Sequence, residues 1–152
     1  MSLGELSNLT VDTVKKNKNI PSAYDQRPDA TAPILLTLPM LPPSTNNLFV
    51  NVAGKGRVKS AEYRRWITDA GMLLKAQCRE RMAGPANLSL LIENKHSRRD
   101  ASNLIKPVED LLVTIGILKG DSAAHVRSVS ATWSPTIEGM SIQVWPAVVG
   151  AV

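Results

Sequence analysis

At Ser60 the hydrophobic pattern changes its period, and that change constrains the kind of domain this chain can form. From there Tyr63, Trp66, Ile67, Ala70, Leu73, Leu74 and Gln77 recur at spacings of three and four, the signature of a helix with one buried face. Ser60 reads as its N-cap and Gly84-Pro85 as its stop. Upstream the apolar residues come instead in short runs. Ile34 to Leu41 is strand-length and closes at Pro42-Pro43, and after the loop PPSTNN the segments Leu48 to Val52 and Arg57 to Lys59 flank Gly54-Lys55-Gly56 as a β-hairpin. Downstream, Leu88 to Asn94 reads as a strand that feeds directly into His96-Ser97-Arg98-Arg99-Asp100. A second helix covers Leu104 to Ile115, with Leu104, Val108, Leu111, Leu112 and Ile115 on one side and Gly116 at its end. Pro107 is cheap only in a first helical turn, so Asp100 to Ser102 form the entry turn. Two more strands, His125 to Trp133 and Met140 to Trp145, surround the turn Ser134 to Gly139. The order β, ββ, α, β, α, β, β defines an α/β (α+β) domain, a small mixed β-sheet with two main helices packed on it.

Composition narrows the function. The chain has 152 residues, 43% of them apolar, enough for one core without a covalent staple. Residues 1–31, with Lys15, Lys16 and Lys18, read as a flexible polar tail, and 32–152 as a single domain. A single cysteine, Cys78, excludes an internal disulfide and a Cys-based zinc cluster, and His96 and His125 leave little for a His-rich metal site. That cysteine usage, no 20-residue apolar run and no export h-region lead to the expectation of a cytoplasmic protein with no membrane partner. The formal charge of +5 favours an acidic partner, of which nucleic acid is the commonest. Trp66, Trp133 and Trp145 fall in apolar-periodic segments and read as core.

The chemistry concentrates between Lys95 and Asp121. Asp100 lies where a strand turns into a helix, and Asp121 where the chain has turned back toward the next strand, so the two carboxylates converge if the return loop doubles back. Hard divalent cations take such oxygens. Each aspartate also has a plainer reading: Asp100 as a helix N-cap, Asp121 as a turn residue. Asn103, Lys106 and Asp110 follow Asp100 at spacings of three and four, though Lys106 and Asp110 alone describe a surface i, i+4 pair.

Arg98, Arg99, Asp100, Asn103, Lys106, Asp110, Leu112, Gly116, Ile117, Leu118, Asp121, Ser122 and Val126 fall in an order that resembles the RusA family of Holliday-junction resolvases. Pro42-Pro43-Ser44-Thr45-Asn46-Asn47 is similar to that family's signature after the first strand, and the resemblance spans about residues 34 to 145. It implies a homodimeric endonuclease that resolves branched, four-way DNA with Mg²⁺, Mn²⁺ being a possible substitute. In that scheme Asp100 and Asp121, with Asp110, hold the metal; Lys106 faces the phosphate; and Asn103 orients a carboxylate or water. Lys95, Arg98, Arg99, Lys55, Arg57 and Lys59 grip flanking backbone, with Asn46 and Asn47 at the rim. A solvated face is the alternative for the hairpin cations. Two departures stand out: Ser102 and Gly120 occupy positions where many members carry an aspartate. Each removes a charge from the metal cluster, which weakens Mg²⁺ affinity unless Asp110 or Glu109 compensates, and Asp110 serves equally as the partner that orients Lys106. The competing expectation is a DNA-binding dimer of the same fold that has lost catalysis through those two positions.

Overall fold

The computed structural model describes residues 20–95 and 98–148. The basic run Lys15, Lys16 and Lys18 and the residue His96 lie outside the described residues. The architecture is mixed α+β. It comprises β1 (Ile34–Leu38), β2 (Phe49–Val52), β3 (Gly56–Lys59), α1 (Ala61–Gln77), β4 (Ala86–Glu93), α2 (Ile105–Ile115), β5 (Val126–Ser134) and β6 (Met140–Pro146). The main sheet has the order β1-β6-β4-β5, and β2-β3 forms a separate two-stranded ribbon. β6 runs antiparallel to both β1 and β4, whereas β4 and β5 are parallel.

Alternation along the strands builds the core in rows. Ile34, Val144 and Leu88 stand side by side, then Leu36, Ile142 and Leu90, then Leu38, Met140 and Ile92, all buried. Half-buried Val129, Ala131 and Trp133 extend these rows onto β5. The helices cover this face with Tyr63, Trp66, Ala70 and Leu74 from α1 and Val108, Leu111, Leu112 and Ile115 from α2. The opposite face is mixed: Gln143, Ser89 and Ser130 share a row with exposed Leu35, and exposed Leu91 stands beside Ser141 and Thr132. Trp145 stands on that face opposite Asn87, so it is half-buried there instead of lying in the core that its apolar neighbours lead one to expect. Edge strand β1 exposes the backbone groups of Thr37, and the Gln77 side chain both donates to its carbonyl and accepts from its amide, each at 2.8 Å. A polar residue in the helical stripe thus closes a sheet edge.

Helix α1 stops at Gln77, well before Gly84-Pro85. The reason is competition from residues 20–31, which the sequence pattern places in the tail. The Arg81 amide donates to the Pro28 carbonyl, and the Ala30 amide to that of Arg81. The Asp29 carboxylate pairs with the Arg81 guanidinium at 2.7 Å. Gly116, at φ 91°, leaves room for the same segment: a Cβ there would stand 2.5 Å from the Ala23 carbonyl carbon.

Arg27 then ties both helix ends together. Its guanidinium donates to the carbonyls of Ile115 (3.0 Å), Cys78 (2.8 Å) and Glu80 (3.1 Å), where backbone acceptors are left over and the helix dipoles are negative. Replacing Arg27 by Ala should lower unfolding free energy by about 2 kcal/mol in urea titrations, because a charged donor is lost from three carbonyls. A loss below about 0.5 kcal/mol, the range of ordinary surface substitutions, would show that the strap is not held there.

Candidate functional site

The prolines of the PPSTNN loop set the first wall of the site. Pro42 and Pro43 are buried, and the following residues make a single 3-10 turn, Thr45–Asn47. The Ser60 hydroxyl donates to the Asn47 carbonyl at 2.5 Å and accepts from the Tyr63 amide at 3.0 Å, so one side chain caps α1 and anchors the loop. The second wall comes from the exit of β4. The chain leaves the sheet at Glu93 and re-enters regular structure through a 3-10 turn, Ala101–Leu104, ahead of α2. Pro107 falls in the first turn of α2, as its missing amide demands.

These walls meet. Ser44, Thr45 and Asn46 share with Arg98, Arg99, Asp100 and Asn103 the lining of one cavity of about 260 Å³. The Arg99 guanidinium donates to the Pro42 carbonyl at 2.7 Å, joining segments 57 residues apart. Burial lowers the Arg99 pKa below its ordinary value, with Glu62 opposing. Asp100 occupies the N-cap position, yet its side chain makes no capping hydrogen bond. Its backbone carbonyl instead accepts from the Asn103 amide, at 3.1 Å. The carboxylate is therefore not spent on the helix end.

Three residues after Asn103, Lys106 gathers two acids. Its ammonium donates to the Asp121 carboxylate in a short contact and lies 3.0 Å from that of Asp110. The hydrogen bond and charge of Lys106 hold the Asp121 carboxyl below the ordinary aspartate range, while Asp121 and then Asp110 raise the Lys106 pKa. Burial raises the Glu109 pKa; Lys106 pulls it back and Asp121 and Asp110 add to the rise. Tyr63, read from sequence as core, is buried on α1: burial raises its phenol pKa, Asp110 adds to the rise and Lys106 opposes it. Nothing in the spacing of α1 separates that tyrosine from its apolar neighbours.

The remaining candidates divide. Asn46 lines the cavity, whereas Asn47 contributes through its backbone to Ser60. Lys95 lies 3.6 Å from Glu93 and 3.7 Å from Glu138, away from the residues that line the cavity. Lys55, Arg57 and Lys59 stand on the ribbon, with the Arg57 guanidinium 4.8 Å from the Phe49 ring centroid and Lys59 at 5.9 Å from that of Tyr63. Asp121 accepts from Lys106, and Asp100 lines the cavity. Among the described residues no group of three or more His, Cys, Asp or Glu is gathered tightly enough for a metal. A single ammonium does reach both Asp110 and Asp121, so these two carboxylates can share one cation, and one or two carboxylates suffice for Mg²⁺ that keeps several waters. The donor set fits an open two-carboxylate site, not a cage.

Gly120 has a local cause. A Cβ at this position would approach the His125 ring to 2.6 Å, so an aspartate there displaces the imidazole. The chain matches no family model and no curated protein sequence.

Two outcomes follow from this geometry. Gly120→Asp should cost about 1–3 kcal/mol of stability by overpacking, with most of the loss recovered on adding His125→Ala in a double-mutant cycle; additive losses would refute the steric cause. A carboxyl-detected NMR titration should place Asp121 below the ordinary aspartate midpoint, and Lys106→Met should move it up toward that midpoint. Since the folded pKa is the lowered one, the pair stabilises above the unfolded value of about 3.9 and its contribution fades as pH falls through the folded midpoint. Both side chains are exposed, so the contribution is under about 1 kcal/mol. An unmoved midpoint would contradict the pairing.

Proposed function

We propose that the chain is a Mg²⁺-dependent, structure-selective endodeoxyribonuclease acting on four-way DNA, with Mn²⁺ as a possible substitute, working as a homodimer in the cytoplasm. The observation that supports this most is the shared cavity. It brings the PPSTNN loop and the Arg98 to Asn103 segment, remote in sequence and each carrying the RusA-like resemblance, to one polar site. A fold alone would not carry the reading, because one fold hosts many functions.

Asp121 and Asp110, the two carboxylates that Lys106 reaches, would hold the metal, and Asp100, in the cavity lining, would take part in the same site. When bound, Mg²⁺ polarises the scissile phosphate and lowers the pKa of an attacking water. The chain's own residues do the rest. Arg98 and Arg99 offer forked donors to phosphate oxygens, and the tie to Pro42 holds Arg99 in place. Asn103 and Asn46 offer amide donors and acceptors at the cavity wall. Lys106, whose ammonium reaches both carboxylates in the free protein, would act as a point charge on the phosphate as negative charge builds there, once the metal occupies those carboxylates. Two-fold pairing would supply two such sites for symmetric incision of a four-way junction.

Purified protein should nick a labelled four-way junction symmetrically in Mg²⁺ and leave a linear duplex intact, with chelator abolishing the nicks. Asp121→Asn and Asp100→Asn should each lower the rate at least about 100-fold while junction binding persists, as expected when charge stabilisation is lost from a preorganised site. Junction binding without cleavage in any divalent ion would favour the non-catalytic reading, and absence of binding would reject both.

A further inference from the structure

The β2-β3 ribbon stands apart from the main sheet and exposes both of its faces. Its register divides the side chains. Phe49 pairs with Lys59 and Asn51 with Arg57, so these four share one face, while Val50, opposite Val58, and Val52 share the other. Val50 is 46% and Val52 39% exposed, two β-branched apolar residues on a surface that nothing in the chain covers among the described residues. The ribbon is also a two-stranded sheet with free edges, an element that protrudes toward whatever the domain binds.

Charge identifies that partner. Between Asp29 and Glu62 the sequence contains no acidic residue, and among the described residues Lys55, Arg57 and Lys59 form no ion pair. Arg57 is instead stacked on Phe49, Phe49 meets Tyr63 edge-on at 5.9 Å, and Tyr63 stacks on buried Trp66 at 6.2 Å. The aromatic row roots the ribbon in α1, the helix whose N-cap Ser60 also anchors the loop that lines the cavity, so the arm is preorganised and not a loose loop.

We propose that the ribbon is a wedge for the branch point of DNA: its cationic face grips backbone while Val50 and Val52 press against base faces that a continuous duplex keeps stacked. This rests on the nuclease reading of the candidate site, and it assigns to the ribbon the preference for branched over linear DNA. Apolar side chains inserted at base steps unstack them, and only a branch offers such faces at little cost. The valine face would then be apolar because its ligand is apolar.

The test uses the full-length protein in chelator, where no cleavage occurs, with a four-way junction carrying 2-aminopurine next to the branch and a linear duplex of matched sequence. Wild type should raise the 2-aminopurine fluorescence on binding the junction. The Val50→Ser/Val52→Ser pair should abolish that rise and reduce the junction-over-duplex affinity ratio about tenfold, leaving duplex affinity within about twofold. The pair Val50→Thr/Val52→Thr keeps the β-branched shape and should move both readouts the same way, which guards against a ribbon that merely unfolds. Wild-type binding without a fluorescence change, or variants that keep the preference, would overturn the wedge. So would variants that change only the sedimentation state, since a second copy of the chain would then be what covers the valines. Wild type that binds neither DNA would instead bring down the nuclease reading, and the wedge with it.

Discussion

The parallel pairing of β4 with β5 governs where the candidate residues from Arg98 to Asp121 stand. Parallel neighbours oblige the chain to leave one end of the sheet and re-enter at the other, and here α2 makes that journey. Its 11 residues cover about 16 Å, so a residue just after β4 and one just before β5 begin at opposite ends of the sheet. Asp121 returns only because the chain folds back after Gly116, where the amides of Ile117 and Leu118 both donate to the Leu112 carbonyl. That reversal brings Asp121 to Lys106 and leaves Asp100 at the exit of β4, in the cavity with Arg98, Arg99 and Asn103. The candidate site therefore has two parts, a polar cavity and a lysine-bridged pair of acids, linked through the chain by the short stretch from Asn103 to Lys106.

The same topology explains what was legible beforehand. Period-two and period-3.6 patterns dominate wherever a face is buried, so the strands, the ribbon, both helices and the mixed sheet could all be read from spacing. The neighbour of β6 could not: it slots between β1 and β4, a pairing set by long-range rows such as Leu36, Ile142 and Leu90 that leave no local trace. The end of α1 was misplaced for a similar reason. Cys78 to Met82 keep helix-compatible residues, yet their backbone groups are taken by Pro28, Ala30 and Ile117. Tertiary partners override propensity there.

For the site, the residue types were visible and their grouping only in part. The i, i+4 relation of Lys106 and Asp110 is fixed by helix geometry and needs nothing distant. The meeting of Asp121 with Lys106 depends on the path of an irregular loop, and the meeting of Asn46 with Asp100 on how two loops pack. Tyr63 hides inside an apolar stripe. Lys95, cationic in sequence, lies between Glu93 and Glu138, a pairing that only the fold reveals. The plainer reading of Asp100 as a cap is half right: the position is the cap, while the carboxylate makes no capping bond.

The segment 20–31 adds a further lesson about polar stretches. Its composition is that of a tail, but Arg27, Asp29 and Tyr24 each find a partner on the helix ends or on the strand-leading loop, the Tyr24 hydroxyl donating to the Met82 carbonyl at 2.8 Å. Arg81 completes the clasp, its guanidinium 4.5 Å from the Tyr24 ring centroid. Low hydrophobicity does not prevent ordering when a few charged groups satisfy backbone carbonyls already present.

The central claim is that the cavity and the lysine-bridged acids act as one phosphodiester site. Paramagnetic Mn²⁺ titrated at substoichiometric levels into isotope-labelled protein bound to a four-way junction tests it directly. The account predicts that amide signals of Asp100, Asn103, Lys106, Asp110 and Asp121 broaden first, ahead of the sheet face opposite the helices. Broadening centred elsewhere, or none on that set at saturating junction, would contradict it.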